Sequence, residues 1–218
     1  RVAAVVALCA ALVSPPLANL AAAVLLVSVV ASPAGRARLA EVARQPVGRA
    51  ALLLLAVLAA ATLWSDAPWP MRWKAWWDWR PLLLLILCLA VFDEASRRRA
   101  LLAFVAFSTA LALFSFWAWS QGISPSGNDH GLPGVVARNP ITQGMGFAAA
   151  GFLALMWALG HAHDRRERIA LWAAAAIILA NLAFVTSGRS GHMMLLVLLG
   201  CAGVQLLGGW RRVGVVAA

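Results

Sequence analysis

Two arginines, each in a short polar break between long apolar stretches, are the residues of this chain best suited to chemistry. Arg138 opens the run Arg138-Asn139-Pro140-Ile141-Thr142-Gln143-Gly144, and Arg189 sits in Thr186-Ser187-Gly188-Arg189-Ser190-Gly191-His192. A guanidinium is planar, charged at any relevant pH, and offers paired donors to phosphate or carboxylate oxygens. Pro140 suits a first helical turn and Asn139 its cap, so Arg138 stands beside a helix N-terminus, whose free N–H groups also favour an anion. An ordinary helix start with one solvated arginine accounts for that motif equally well. In the second motif Gly188 and Gly191 permit a tight turn and Ser187 and Ser190 can donate hydrogen bonds, while His192 begins the next apolar stretch, placed to cap it or to line the same cavity. A plain hairpin turn explains the glycines and serines. It does not explain Arg189, which needs a partner if it lies at the edge of lipid.

Two other segments carry chemistry-bearing side chains. Between residues 64 and 80, Trp69, Trp73, Trp76 and Trp77 recur at helical spacing and Lys74 and Asp78 form an i,i+4 pair. This reads first as an amphipathic helix with its indoles in an interfacial belt, and second as an indole platform for sugars or a lipid head group. Arg80 ends the segment, where it can snorkel or reach a phosphate. Asp129 and His130 could form an acid/base pair, but adjacent residues rarely converge on one substrate atom, and a Gly- and Pro-rich loop preorganises them poorly. Cys9, Cys88 and Cys201 each stand alone in apolar sequence, as buried thiols do, and point to no disulfide or metal.

The elements that must position these residues are membrane helices. The chain has 218 residues, of which 63% are hydrophobic and only 12% charged, with a mean hydropathy of +0.83. Apolar runs of this length make an all-α polytopic membrane protein and exclude the alternation of a barrel. About eight transmembrane helices are expected, at Val2–Val13 (incomplete), 17–33, 50–64, 81–92 (beginning within the tryptophan-rich segment), 100–120, 141–160, 169–186 and 192–209, with the start of another after them and all in one domain. Pro15 and Pro16 make the first turn. The net charge of +10 is spread between spans rather than gathered into a nucleic-acid-binding face. Of the 18 basic residues, 13 fall in alternate loops: Arg1; Arg36, Arg38, Arg44 and Arg49; Arg97, Arg98 and Arg99; Arg165, Arg166 and Arg168; Arg211 and Arg212. That side is cytoplasmic by the positive-inside rule. Arg72, Lys74, Arg80, Arg138 and Arg189 lie on the other side. All eight acidic residues are expected in loops, leaving Asn181 and Gln205 as the main polar groups within spans, a composition that disfavours an ion-coupled transporter.

The paired motifs at Arg138 and Arg189, one helical hairpin apart, resemble the O-antigen ligase family of bacterial inner membranes. Ser14-Pro15-Pro16-Leu17-Ala18-Asn19 and Leu63-Trp64-Ser65 also look like that family, though the specific part of the likeness is roughly residues 138–200. The resemblance implies a GT-C-like, multi-pass glycosyltransferase that moves a glycan from undecaprenyl diphosphate to lipid A–core at the periplasmic face. It implies neither metal nor other cofactor. By motif match Arg138 and Arg189 would hold the donor diphosphate, with Arg80, Asn139, Ser190 and His192 as supporting residues. The family's catalytic histidine belongs to a large periplasmic loop expected beyond residue 218, so the chain reads as an N-terminal fragment without a catalytic residue, and neither His130 nor His192 inherits that role. Some relatives carry a histidine where Gln143 stands. O-antigen polymerases and protein O-oligosaccharyltransferases share the arrangement, and a transporter or flippase for an anionic lipid or solute also fits the residues themselves.

Overall fold

The computed structural model describes residues 2–126, 132–160, 162, 164–186 and 188–206. Their regular elements are helices: α1 (Val2–Val13), α2 (Pro15–Ala31), α3 (Pro33–Arg44), α4 (Pro46–Ala61), α5 (Trp69–Trp77), α6 (Pro81–Val91), α7 (Glu94–Ser120), α8 (Pro140–Gly160), α9 (Arg165–Phe184) and α10 (Arg189–Leu206). Helices α2, α3, α4, α6 and α8 all open on proline, whose missing N–H costs nothing in a first turn and whose φ is already helical. Ser32 caps α3 by accepting from Gly35 N–H at 3.2 Å, and Asp164 caps α9 by accepting from Glu167 N–H at 2.6 Å.

Each expected span coincides with a helix, but fewer have the length of a crossing. Among the described residues three helices, α8, α9 and Ala95–Ser120 of α7, are long and apolar enough to cross a membrane, and α2 with α3 passes as a broken span bent by 102°. Among those residues three or four helices, rather than eight, therefore meet the length requirement. A helix as short as α1, with 12 residues, rises only about 18 Å against a hydrocarbon core of about 30 Å.

Other boundaries also differ from expectation. The arginine-bearing stretch after residue 33 is a helix, α3, rather than a loop, because its Val42 packs with Ala51, Ile86 and Ala90. Glu41, Glu94 and Glu167 accordingly lie on helices. The helix at Pro81 does not begin in the tryptophan segment: the chain turns at residues 78–80, and Pro81 has no N–H to continue the α5 ladder. The last helix starts at Arg189, three residues before the expected boundary. Residues 207–218, including Arg211 and Arg212, lie outside the described set, as does the side chain of Gln205.

Backbone contacts divide the chain into two compact units, 1–7 with 16–98 and 8–15 with 99–218. In the first, α3, α4 and α6 pack together around the Val42 cluster and α5 abuts α4. In the second, α8 is central. Its buried face is dominated by small residues, including Gly144, Ala148, Gly151, Ala154 and Ala158, which let neighbouring backbones approach closely. Val105 of α7 shares a core with Ala154 and Ala158 of α8 and Leu171 of α9, while Ala112 shares another with Phe147, Ala150 and Ile178. Those pairings make α7 parallel to α9 and antiparallel to α8. The C-terminal ends of α7 and α9 thus come together with the N-terminus of α8.

Candidate functional site

At that end of the second unit, α8 and α10 cross on glycine. A Cβ on Gly191 would lie 2.6 Å from the carbonyl carbon of Gly144, and one on Gly144 would lie 3.3 Å from Gly191 Cα, so backbone meets backbone. Gly188 sits nearly as close, a Cβ there falling 3.0 Å from Pro140 O. The first turns of the two helices are therefore adjacent, which joins the positive ends of two helix dipoles. Arg138, just ahead of α8, and Arg189, the first residue of α10, are both exposed. Among the described residues neither guanidinium has a hydrogen-bond or ion-pair partner. Asn139 caps α8, its Oδ1 accepting from Thr142 N–H at 2.7 Å. Ser190 and His192 are exposed on the first turn of α10, with His192 Nδ1 3.3 Å from Gly188 O.

The backbone leading into Arg138 is buried, and each N–H from Gly134 to Arg138 has a partner. Gly134 N–H donates to Ile123 O at 2.9 Å, Ser126 N–H to Val135 O at 3.2 Å, and Arg138 N–H to Leu12 O at 3.2 Å. The N–H groups of Val136 and Ala137 and the carbonyl of Gly134 meet one side chain. Gln143 Oε1 accepts from Val136 N–H at 2.8 Å and Ala137 N–H at 3.1 Å, while its Nε2 donates to Gly134 O at 3.1 Å and Ser115 Oγ at 3.2 Å. All four hydrogen-bonding positions of the carboxamide are used, and its orientation is forced, since a flip would set NH2 against two N–H donors. Gln143 is only 1% exposed, so no solvent would replace a lost partner. Gly134 itself has φ +82°, and a Cβ there would collide with Val185 and lie 2.9 Å from Trp119 Cβ.

The end of α9 is held in the same way. Asn181 Nδ2 donates to Ala112 O at 3.1 Å, and its Oδ1 accepts from Thr186 Oγ1 at 3.2 Å and lies 3.3 Å from Ser115 Oγ. Its backbone carbonyl accepts from Val185 and Thr186 N–H at 2.9 and 3.0 Å. The chain is thereby fixed just before Gly188 and Arg189. Family models, curated proteins and solved structures give no match to this chain. The site stands on its own geometry.

Arg80 belongs to the first unit. Its Nε donates to Asn19 Oδ1 at 3.2 Å and its Nη1 to Trp77 O at 3.2 Å, with Asp78 3.7 Å away and the Trp77 ring centroid at 5.9 Å. Asp78 thus pairs with Arg80 rather than with Lys74. The α5 indoles touch one another, Trp73 lying 5.1 Å from Trp76 and 6.2 Å from Trp77, and no residue of α5 is buried. Arg72 spans the α4–α5 junction, donating to Ala67 O and, at 3.1 Å, to Thr62 O beside a cleft of about 180 Å³ walled by Trp76 and Trp79. Asp129, His130 and Ser187 lie outside the described residues. Sequence reasoning gave no structural role to Gln143 or Ser115. Gln143 heads the buried stripe that continues at Phe147, Ala150 and Ala154 at helical spacing.

Proposed function

We propose that this chain carries the donor-binding part of a bacterial inner-membrane glycosyltransferase of GT-C-like architecture, moving a glycan from undecaprenyl diphosphate to lipid A–core at the periplasmic face. The observation that carries this reading is the meeting of two helix N-termini, each bearing an exposed arginine with no protein partner among the described residues. Two guanidiniums and two positive dipole ends suit two linked phosphoryl groups. On this reading Arg138 and Arg189 neutralise the diphosphate before reaction. As the bond between the anomeric carbon and the phosphate oxygen breaks, they stabilise the charge that develops on the leaving undecaprenyl diphosphate. Asn139 holds the start of α8, and Ser190 and His192 stand on the same turn as Arg189. No residue here is assigned to proton transfer.

The test is glycan transfer by the full-length protein in membranes. Arg189→Ala is expected to abolish transfer at normal membrane levels, and full activity in that variant would overturn the assignment. Supplying an undecaprenyl-diphosphate glycan with lipid A–core, a growing polysaccharide or a protein acceptor separates the ligase from the related polymerase and O-oligosaccharyltransferase activities. Movement of the lipid across the bilayer without transfer would point to a flippase instead.

A further inference from the structure

Ser115 touches both of the amides that fix the two arginine segments. Its hydroxyl accepts from Gln143 Nε2 at 3.2 Å and lies 2.6 Å from Gly134 O and 3.3 Å from Asn181 Oδ1. Gln143 holds the backbone that leads into Arg138. Asn181 holds Thr186, in the turn that leads into Arg189. Ser115, Gln143 and Asn181 are each 1% exposed or less. We infer that Ser115 is a positioning residue that couples the two segments, so that Arg138 and Arg189 bind an anionic ligand as one site rather than as two independent cations. The inference rests on the diphosphate reading above.

The physical basis is a single hydroxyl proton with two acceptors. It favours Gly134 O, the nearer, and the share left to Asn181 depends on how closely Gln143 keeps Gly134 in place. Water cannot compensate in so enclosed a position, so a shift at either amide is passed to the other. A ligand that orders the Arg138 segment thereby orders the turn before Arg189. A lipid monophosphate occupies one arginine and gains little from this; a lipid diphosphate reaches both and gains fully. The contact between Gly144 and Gly191 is a separate connection between the same segments, and replacing Ser115 leaves it in place. Ser115→Ala also leaves Gln143 and Asn181 all their other hydrogen bonds, so the variant is suited to isolating the bridge.

The experiment measures binding of undecaprenyl diphosphate and undecaprenyl monophosphate to the full chain in lipid nanodiscs, for Arg138→Ala, Arg189→Ala and the double variant, in the Ser115 and Ser115→Ala backgrounds. With Ser115 present, the combined loss of diphosphate affinity should depart from the product of the single losses by at least about threefold, the size typical of residues sharing a network. With Ser115→Ala that departure should shrink by at least about twofold, leaving what the Gly144–Gly191 contact carries, and the preference for diphosphate over monophosphate should fall; an unchanged departure would overturn the coupling. A purely structural serine would lower affinity without altering how the two arginine effects combine. Single losses that multiply in both backgrounds would overturn the coupling and leave the diphosphate reading standing. Arginine variants that bind like the parent in both backgrounds would remove the reading and the coupling together. Hydrogen exchange without ligand supplies a second measure: Ser115→Ala should speed exchange of the amides of Val136, Ala137 and Thr186 at least about threefold. An effect confined to one segment would likewise overturn the inference.

Discussion

Gln143 uses its entire hydrogen-bonding capacity on the buried backbone before Arg138 and on Ser115, and the glycine it braces is equally constrained. Gly134→Ala would place a side chain at φ +82° against Val185 and Trp119. The expected cost is about 1–3 kcal/mol, read as a lower unfolding midpoint in detergent or nanodiscs, with weaker anion binding because Arg138 follows four residues later. Unchanged stability would mean that the segment relaxes freely. For Arg189→Ala, loss of a charge-assisted contact is expected to weaken donor binding by about 1.5–3 kcal/mol, roughly 10- to 150-fold. Arg189→Lys keeps the charge without the planar fork, so an intermediate affinity is expected, and parent-like binding by lysine would show that charge alone suffices. Both arginines were legible in the sequence because a cation next to an apolar run needs a reason. Gln143 and Ser115 were not, because their partners are brought to them by the fold, the two residues themselves being 28 positions apart.

Among the elements, the crossing of α8 and α10 determines whether the arginines share a site. Gly191→Ala inserts a methyl group 2.6 Å from the carbonyl carbon of Gly144, so the two first turns must separate. The expected result is about 1–3 kcal/mol of destabilisation together with weaker, not abolished, coupling between Arg138 and Arg189, since the Ser115 bridge remains. Gly200→Ala is the control: it lies on the same helix with nothing within 4 Å of an added Cβ, and alanine should be neutral or stabilise the helix by up to about 1 kcal/mol. Equal effects at the two positions would show that the crossing is not what matters. The start of α8 was legible, since proline at a first turn and Asn139 as a cap act locally, whereas α4, α7, α9 and α10 begin three to six residues before the expected spans. The helical nature of α3 was not. Its apolar face is small, and Val42 is buried by contacts from Ala51, Ile86 and Ala90 on other helices.

For the whole molecule, sidedness is the property that the proposed function needs. Arg165, Arg166 and Arg168 start α9, whereas Arg138 and Arg189 stand at the opposite end of the same unit, separated by the 21 residues of α8, or about 31 Å. On the proposed topology, with Cys9, Cys88 and Cys201 replaced by alanine, Ser190→Cys should react with a membrane-impermeant maleimide added to the outer face of the membrane, and Arg168→Cys only after the membrane is permeabilised. The reverse pattern would put the arginine end in the cytoplasm and exclude a periplasmic transferase. Legible along the chain were the apolar helices, the uneven distribution of basic residues and the anomaly of two arginines outside the main basic loops. These depend on runs and local spacing, which tertiary structure does not rearrange. That the two arginine motifs face one another came from packing alone. Their meeting rests on a backbone contact between Gly144 and Gly191 and on the approach of Ser115 to Asn181, 66 residues away. Contacts of that kind depend on how α7, α8, α9 and α10 pack, which no local pattern encodes.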